Sequence, residues 1–222
     1  MKRLLILVFG VIIFCGTNAS KVQLYLGIRG GAGVTINHYH FPDMVTSQGI
    51  TTVKGNSYAW TAHAKGEVLF GVWRFRIGYR FLYNFSAPLL FSGPSSPIVD
   101  GNRYTTYFNS SQTHYFGHYL VLELAVINRQ HFGLVPGVAV GTYGGYRVDN
   151  TTEEKVRLGV DTYHRFSVGL ELNFEIKFGR CVFLAGPNYY LFSMQDRADN
   201  NWHNYQHILG ADVGLRVNLL KP

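Results

Sequence analysis

From Trp73 to Phe85 every second residue is apolar or aromatic: Trp73, Phe75, Ile77, Tyr79, Phe81, Tyr83 and Phe85 share one parity, and Arg74, Arg76, Gly78, Arg80 and Asn84 hold most of the other. Period two belongs to a strand, whereas a helix would spread these arginines and aromatics around its whole circumference. The spacing predicts a strand over about 73–85, longer than the 9–11 residues a tilted membrane strand needs. Upstream, Tyr58, Trp60, Ala62, Ala64, Val68 and Phe70 alternate with Ser57, Thr61, His63, Lys65 and Glu67. Only Gly71-Val72 separates the two runs, which predicts a two-residue hairpin there. A third run sets Phe166, Val168, Leu170, Leu172, Phe174, Ile176 and Phe178 against Arg165, Ser167, Glu171, Asn173, Glu175 and Lys177, with a turn at Gly179-Arg180. Softer alternation at about 23–36, 114–127, 132–146, 181–192 and 205–219 brings the count to eight. Pro136 and Pro187 stand beside Gly137 and Gly186, so the fifth and seventh strands are expected to carry bulges or sharp bends.

The connections alternate in length. Segments 37–56, 86–113, 147–161 and 193–204 are long, and 71–72, 128–131 and 179–180 are short. An outer-membrane barrel has this layout, with short periplasmic turns, longer extracellular loops and an even strand count that returns both termini to the periplasm. The long 86–113 segment holds Pro88, Pro94, Pro97, Gly93 and several serines, a composition that predicts an irregular loop.

The N-terminus changes the compartment. Lys2 and Arg3 precede an apolar run from Leu4 to Phe14, then small and polar residues. This is the pattern of a Sec signal peptide, with cleavage expected after Ala19 in Thr17-Asn18-Ala19. Phe14 is too bulky for the small residue that precedes a lipidated cysteine, which argues against Cys15 as an anchor. The domain reading is residues 1–19 as signal and 20–222 as one barrel domain. Only Cys181 remains after cleavage, so no intramolecular disulfide forms. Removing Lys2 and Arg3 from the 20 basic residues leaves 18 against 13 acidic ones, a net charge of +5. No basic run accompanies it, so no nucleic-acid partner is expected.

Alternation alone does not say which parity faces in, because a soluble lipocalin-like barrel alternates too. Volume and charge decide. Eight strands enclose room for their own side chains or one small ligand, and seven large residues from a single strand would overpack that space. The apolar set therefore faces lipid. The inward set is Arg29, Lys65, Arg74, Arg76, Arg80, Arg165, Lys177 and Arg216 against Glu67, Glu123, Glu171, Glu175 and Asp212, read as a salt-bridge plug. Tyr58, Trp60, Trp73, Tyr83, Tyr143, Tyr146, Tyr163 and Tyr190, near strand ends, are assigned to the interfacial aromatic girdles.

The last strand reads Asp212-Val213-Gly214-Leu215-Arg216-Val217-Asn218-Leu219: polar, x, Gly, x, x, apolar, x, apolar. With it, the whole mature chain resembles the small outer-membrane barrels of the OmpA/OmpX-like and PorT-like group. The resemblance implies an eight-stranded antiparallel up-and-down transmembrane barrel in the bacterial outer membrane, with a water-poor polar interior. It also implies that Asp212, Gly214, Val217 and Leu219 form the signal read by the outer-membrane assembly machinery. Leu219 stands where an aromatic is usual in that group, and Gly214 with its flanking alternation also reads simply as a good closing strand.

Candidate chemistry is sparse. His118, with His114, Tyr115, Ser111 and Glu123 nearby, holds the residue types of a hydrolase triad. Five residues separate His118 from Glu123, which puts them at opposite parity and on opposite sides of the wall. His38 and His40 share a side if extended, a weak metal pair. Gly27, Gly30, Gly31 and Gly33 do not match a dinucleotide fingerprint and are read as room for large neighbours inside. Asp149, Glu153, Glu154, Lys155 and Arg157 read as a solvated loop face. No cofactor, metal or catalytic residue is expected. Three functions stay open: a non-enzymatic platform for an envelope or surface protein, a narrow channel for small solutes, and a lipid A-modifying enzyme. Lipid and the assembly machinery are expected partners in all three.

Overall fold

The computed structural model describes residues 22–46, 49–88, 98–99, 102–103, 111–149, 155–158, 166–195 and 203–220. Eight long strands make the wall: β1 (Val22–Thr46), β2 (Gly49–Val72), β3 (Phe75–Pro88), β4 (Ser111–Leu124), β5 (Phe132–Asp149), β6 (Phe166–Phe178), β7 (Cys181–Gln195) and β8 (His203–Asn218). Each pairs antiparallel with the next, and β8 returns to β1 from Tyr25↔Asn218 to His38↔Tyr205, so the sheet closes. Short pieces decorate it. Ile98–Val99 pairs Asn102–Arg103, and Ile127–Asn128 and Lys155–Leu158 both pair with β5. The termini of the wall lie at the end that carries the short turns.

The apolar parity faces out. Ile28 is 72% exposed, Phe75 60% and Val213 57%, while Arg80, Arg216 and Glu175 on the alternate positions are at 0%. This is the inverse of a water-soluble barrel. A closed sheet leaves no unpaired edge, and the apolar wall has its solvent in lipid.

Three expectations from sequence are corrected. The turn after β2 is Trp73-Arg74, because Gly71 and Val72 stay in the ladder with Arg76 and Phe75. The backbone turns there even though Trp73 lies in the left-handed region at φ 56°. The first long connection is mostly strand: β1 and β2 stay paired to Thr46↔Gly49, with one register shift between Phe41 and Met44. The expected bulges in β5 and β7 are absent. β5 pairs β6 in one unbroken register, and the β4–β5 ladder ends at Glu123↔Gly137, one residue short of Pro136. The missing Pro136 N–H therefore breaks no bond on that side. At Gly186-Pro187 the pairing with β6 lapses between Glu171↔Asn188 and Phe174↔Ala185 without changing register.

Tyr143 and Tyr190 also depart from the expected girdle, since both are buried and face inward. Tyr58, Trp60 and Trp73 are exposed on the outer surface, with Tyr83 and Tyr146 partly covered on the same face, and Tyr163 lies outside the described residues. The signal segment, its cleavage site and Cys15 also lie outside them.

Candidate functional site

Among the described residues, charged side chains converge in the barrel interior. Alternation on β1, β2, β3, β4, β6 and β8 aims their charged residues inward, and the narrow bore brings side chains far apart in sequence into contact. β5 contributes space. A Cβ on Gly137 would lie 3.1 Å from Glu123 Cγ, and one on Gly133 2.9 Å from a Glu175 carboxylate oxygen. Gly27 and Gly31 leave room in the same way, for Arg216 with Glu67 and for Asp212 with His63. Gly30 faces out, and Gly33 permits a close approach of the Leu209 backbone, so only two of those four glycines make room for interior side chains.

Glu171 is the most heavily engaged acid. It accepts from Arg29 Nη1 at 2.8 Å, Lys65 Nζ at 2.7 Å, Arg80 Nη1 at 2.7 Å and the Tyr190 hydroxyl at 2.6 Å. Asp212 accepts from Arg29 Nη2 at 3.0 Å and Lys65 Nζ at 2.6 Å, and it also bonds His63. Toward the periplasmic end, Glu67 takes Arg80 Nε at 2.9 Å and Nη2 at 2.7 Å on one oxygen and Arg216 Nε at 2.5 Å on the other. Arg216 also grips Glu123 with both terminal nitrogens, at 2.8 and 2.5 Å. Arg76 donates to both oxygens of Glu175 and lies over the Tyr25 ring at 4.8 Å. Two-pronged guanidinium–carboxylate pairs of this kind are the strongest and most directional ion pairs available.

Among the described residues, five buried cations (Arg29, Lys65, Arg76, Arg80, Arg216) meet five buried acids (Glu67, Glu123, Glu171, Glu175, Asp212), so the core of the plug is charge-balanced. The sequence reading had eight cations. Arg74 does not belong, because it sits exposed in the β2–β3 turn with its guanidinium 5.1 Å from the Trp73 ring. Arg165 lies outside the described residues. Lys177 occupies the rim, 3.9 Å from Glu175 and bonded to Asn128.

Above the charges lies a neutral layer that the sequence reading missed. Thr61 donates to Asn84 Oδ1 at 2.7 Å, Thr35 and Ser86 share a bond at 3.0 Å, and Tyr119 donates to Ser167 at 3.1 Å. Phe192 then stacks on Tyr115 at 5.5 Å and meets Tyr143 edge-on at 4.7 Å. The alternation held the signal for Thr61 and Asn84. The aromatic layer gave none, because on β5 the neighbours of Tyr143 are glycines and threonine, which leave the parity unmarked.

The hydrolase combination does not assemble. His118 and His114 face the outer surface, and Tyr115 and Glu123 face the interior. The side chains of Ser111, His38 and His40 lie outside the described ones, as do those of Asp149, Glu153, Glu154, Lys155 and Arg157. No group of metal-ligating residues occurs among the described residues. Of the four residues read as an assembly signal, Asp212 belongs to the ion-pair network and Gly214 faces inward against Arg29. Val217 is half-buried, and Leu219 is exposed just past β8.

No family model and no curated protein sequence matches the chain. Among solved structures it is similar to Neisserial surface protein A, NspA, at 10% identity and a TM-score of 0.48, covering 88% of this chain and 97% of that one. It is also similar to the outer membrane protease OmpT from Escherichia coli, at 9% identity and 0.42 over 89% and 97% of the two chains. The outer membrane protein AlkL, in lipid bilayers, gives 11% and 0.43 over 90% and 91%. By its closed strand order and its inverted faces, the chain is an eight-stranded antiparallel β-barrel of the bacterial outer membrane.

Proposed function

We propose that the protein is a non-enzymatic platform: a rigid barrel, sealed along its axis, whose extracellular connections meet a protein of the cell surface or envelope. The observation that carries this reading is the occupancy of the bore. The buried ion pairs span six of the eight strands, and the Tyr115, Tyr143 and Phe192 rings close the space above them. A scaffold of this stiffness suits binding by loops, where contact residues concentrate when the frame is fixed.

Planar-bilayer recording of the purified, refolded barrel tests the seal. No steady conductance above the bare membrane is expected, and a steady single-channel current would support the narrow-channel reading instead. Crosslinking in intact cells, with neighbours identified by mass spectrometry, tests the partner. A surface or envelope protein recovered repeatedly supports the platform, whereas recovery of lipid alone removes it. Replacing His118 by Ala is expected to leave the lipid A mass spectrum of the cells unchanged.

A further inference from the structure

The charges outside the interior are divided unevenly between the two ends of the barrel. Of the 13 acids in the sequence, five belong to the buried network, and the other eight all fall in segments 37–56, 86–113, 147–165 and 193–204, which join strands at the extracellular end. Those segments also hold seven Lys and Arg, so they come out near neutral. The periplasmic end has no acid outside the network. It carries an exposed arginine on each of its three turns: Arg74 between β2 and β3, Arg129 between β4 and β5, and Arg180 between β6 and β7. His131 is exposed on the same turn as Arg129, and Lys177 lies at the foot of β6.

Backbone bonds fix the spacing of these turns. The Arg74 carbonyl accepts from Ala125 N at 2.8 Å, the His131 carbonyl from Lys177 N at 2.9 Å and the Arg180 carbonyl from Asn218 N at 2.8 Å, so each turn is latched to the foot of the strand that follows it. Lys177 Nζ also donates to the Arg129 carbonyl at 3.2 Å, which ties two of the basic turns together. The apolar wall comes up to the arginines. Trp73 and Phe75 flank Arg74, Phe178 stands two residues before Arg180 and Ile127 two before Arg129, and all four are exposed. The Arg74 guanidinium lies 5.1 Å from the Trp73 ring, on the outer perimeter of the rim. The acids nearest this end, Glu123 and Glu175, are buried and held by Arg216 and Arg76. Among the described residues, therefore, no carboxylate pairs with the three turn arginines.

We propose that the periplasmic rim binds anionic phospholipid of the inner leaflet, with Arg74, Arg129 and Arg180 donating to headgroup phosphates. An arginine within two residues of a lipid-facing apolar side chain starts within about 7 Å of the edge of the apolar band, which is the level of those phosphates. A guanidinium forks onto phosphate oxygens, and its apolar stem lies along the wall. Depth is what favours lipid over an acidic periplasmic protein, which would meet a basic surface set clear of the apolar band. A basic residue close to an anionic membrane surface gains about fivefold in binding.

The test uses the whole folded chain carrying Trp60→Phe and Trp202→Phe, which leaves Trp73, on the Arg74 turn, as the one fluorescent indole. It is reconstituted in mixed bilayers of phosphatidylcholine and phosphatidylglycerol, with bromine on the acyl chains of one lipid or the other, so that quenching counts each lipid at the rim. Phosphatidylglycerol is expected to exceed its bulk share around Trp73 about fivefold, and to fall to that share in Arg74→Gln/Arg129→Gln/Arg180→Gln. Lys54→Gln/Arg147→Gln/Arg157→Gln, in the extracellular segments, should keep the preference. Equal quenching by the two lipids in the parent leaves the rim to an acidic protein and overturns the proposal. So does a preference that survives in the turn variant or is lost equally in the extracellular one. Should the turn variant lack the heat-dependent gel shift of a folded barrel, the parent in about 1 M salt decides, because charges at a surface are then screened beyond about 3 Å. The preference is expected to fall at least by half there, and an undiminished one overturns the proposal.

Discussion

Glu171 shows what a single residue does here, since its carboxylate takes hydrogens from three cations and a tyrosine, and each of those cations keeps only one of its close acidic partners, Asp212 or Glu67, without it. Truncating one partner of a buried ion pair strands the others, so Glu171→Ala is expected to cost about 3–5 kcal/mol, read as a lower denaturant midpoint of the refolded barrel in detergent. Lys65→Ala also destabilises, but the double variant should lose less than the sum, with a coupling of about 1–3 kcal/mol, because removing Lys65 takes away one of the stranded charges. Strict additivity would show that the two do not act as a pair. The same residues mark what was legible in sequence. Arg76, Arg80, Glu171 and Glu175 alternate with large apolar and aromatic residues, so their direction followed from parity. Arg74 satisfies the same parity, yet it falls in a two-residue turn, where alternation no longer specifies a side. His63 was visible only as a polar residue, and its bond to Asp212 joins β2 to β8 over Gly31 of the intervening β1, a contact that no local pattern encodes.

At the scale of elements, the periplasmic turns carry a matched pair of backbone conformations: Trp73 at φ 56° and Gly179 at φ 55°. A Cβ at Gly179 meets nothing within 4 Å, so Gly179→Ala isolates the conformational cost and should destabilise by about 1 kcal/mol, with Gly179→Asn costing less. Equal midpoints for all three proteins would show the turn able to relax. The sequence misplaced the first of these turns because Gly71 advertises one, whereas its real use is interior space beside Arg76. The closing strand supplies a second test. A Cβ on Gly214 would sit 2.5 Å from Arg29 Cγ and 2.5 Å from the Ile28 carbonyl oxygen, so the glycine is required by packing whatever machinery reads it. Gly214→Ala is therefore expected to lower stability by about 1–3 kcal/mol on refolding into pure detergent, where no assembly factor is present. Normal refolding there, with failed assembly in cells, would make the residue an assembly signal alone.

For the whole molecule, the seal is built as two layers in series, and a series arrangement has a specific consequence for conductance. The lower layer holds the five cations and five acids, and the upper one holds the rings of Tyr115, Tyr143 and Phe192. Removing rings with Phe192→Ala and Tyr115→Ala opens space above the charges but leaves the Arg80, Arg216, Glu67 and Glu123 cluster, in which Arg80 and Arg216 are wholly buried. An ion entering the widened end still meets a charge-balanced obstruction, and passing it requires separating pairs held by two-pronged hydrogen bonds. The two-ring variant is therefore expected to stay as electrically silent as the parent in planar-bilayer recording, although it should unfold at lower denaturant because two large aromatics are lost from the interior. Combining it with Arg216→Ala and Glu123→Ala removes one complete bidentate pair without changing net charge, and only that fourfold variant should conduct. A current through the two-ring variant alone would place the seal in the aromatic layer and leave the ion pairs as a device for holding the eight strands in register.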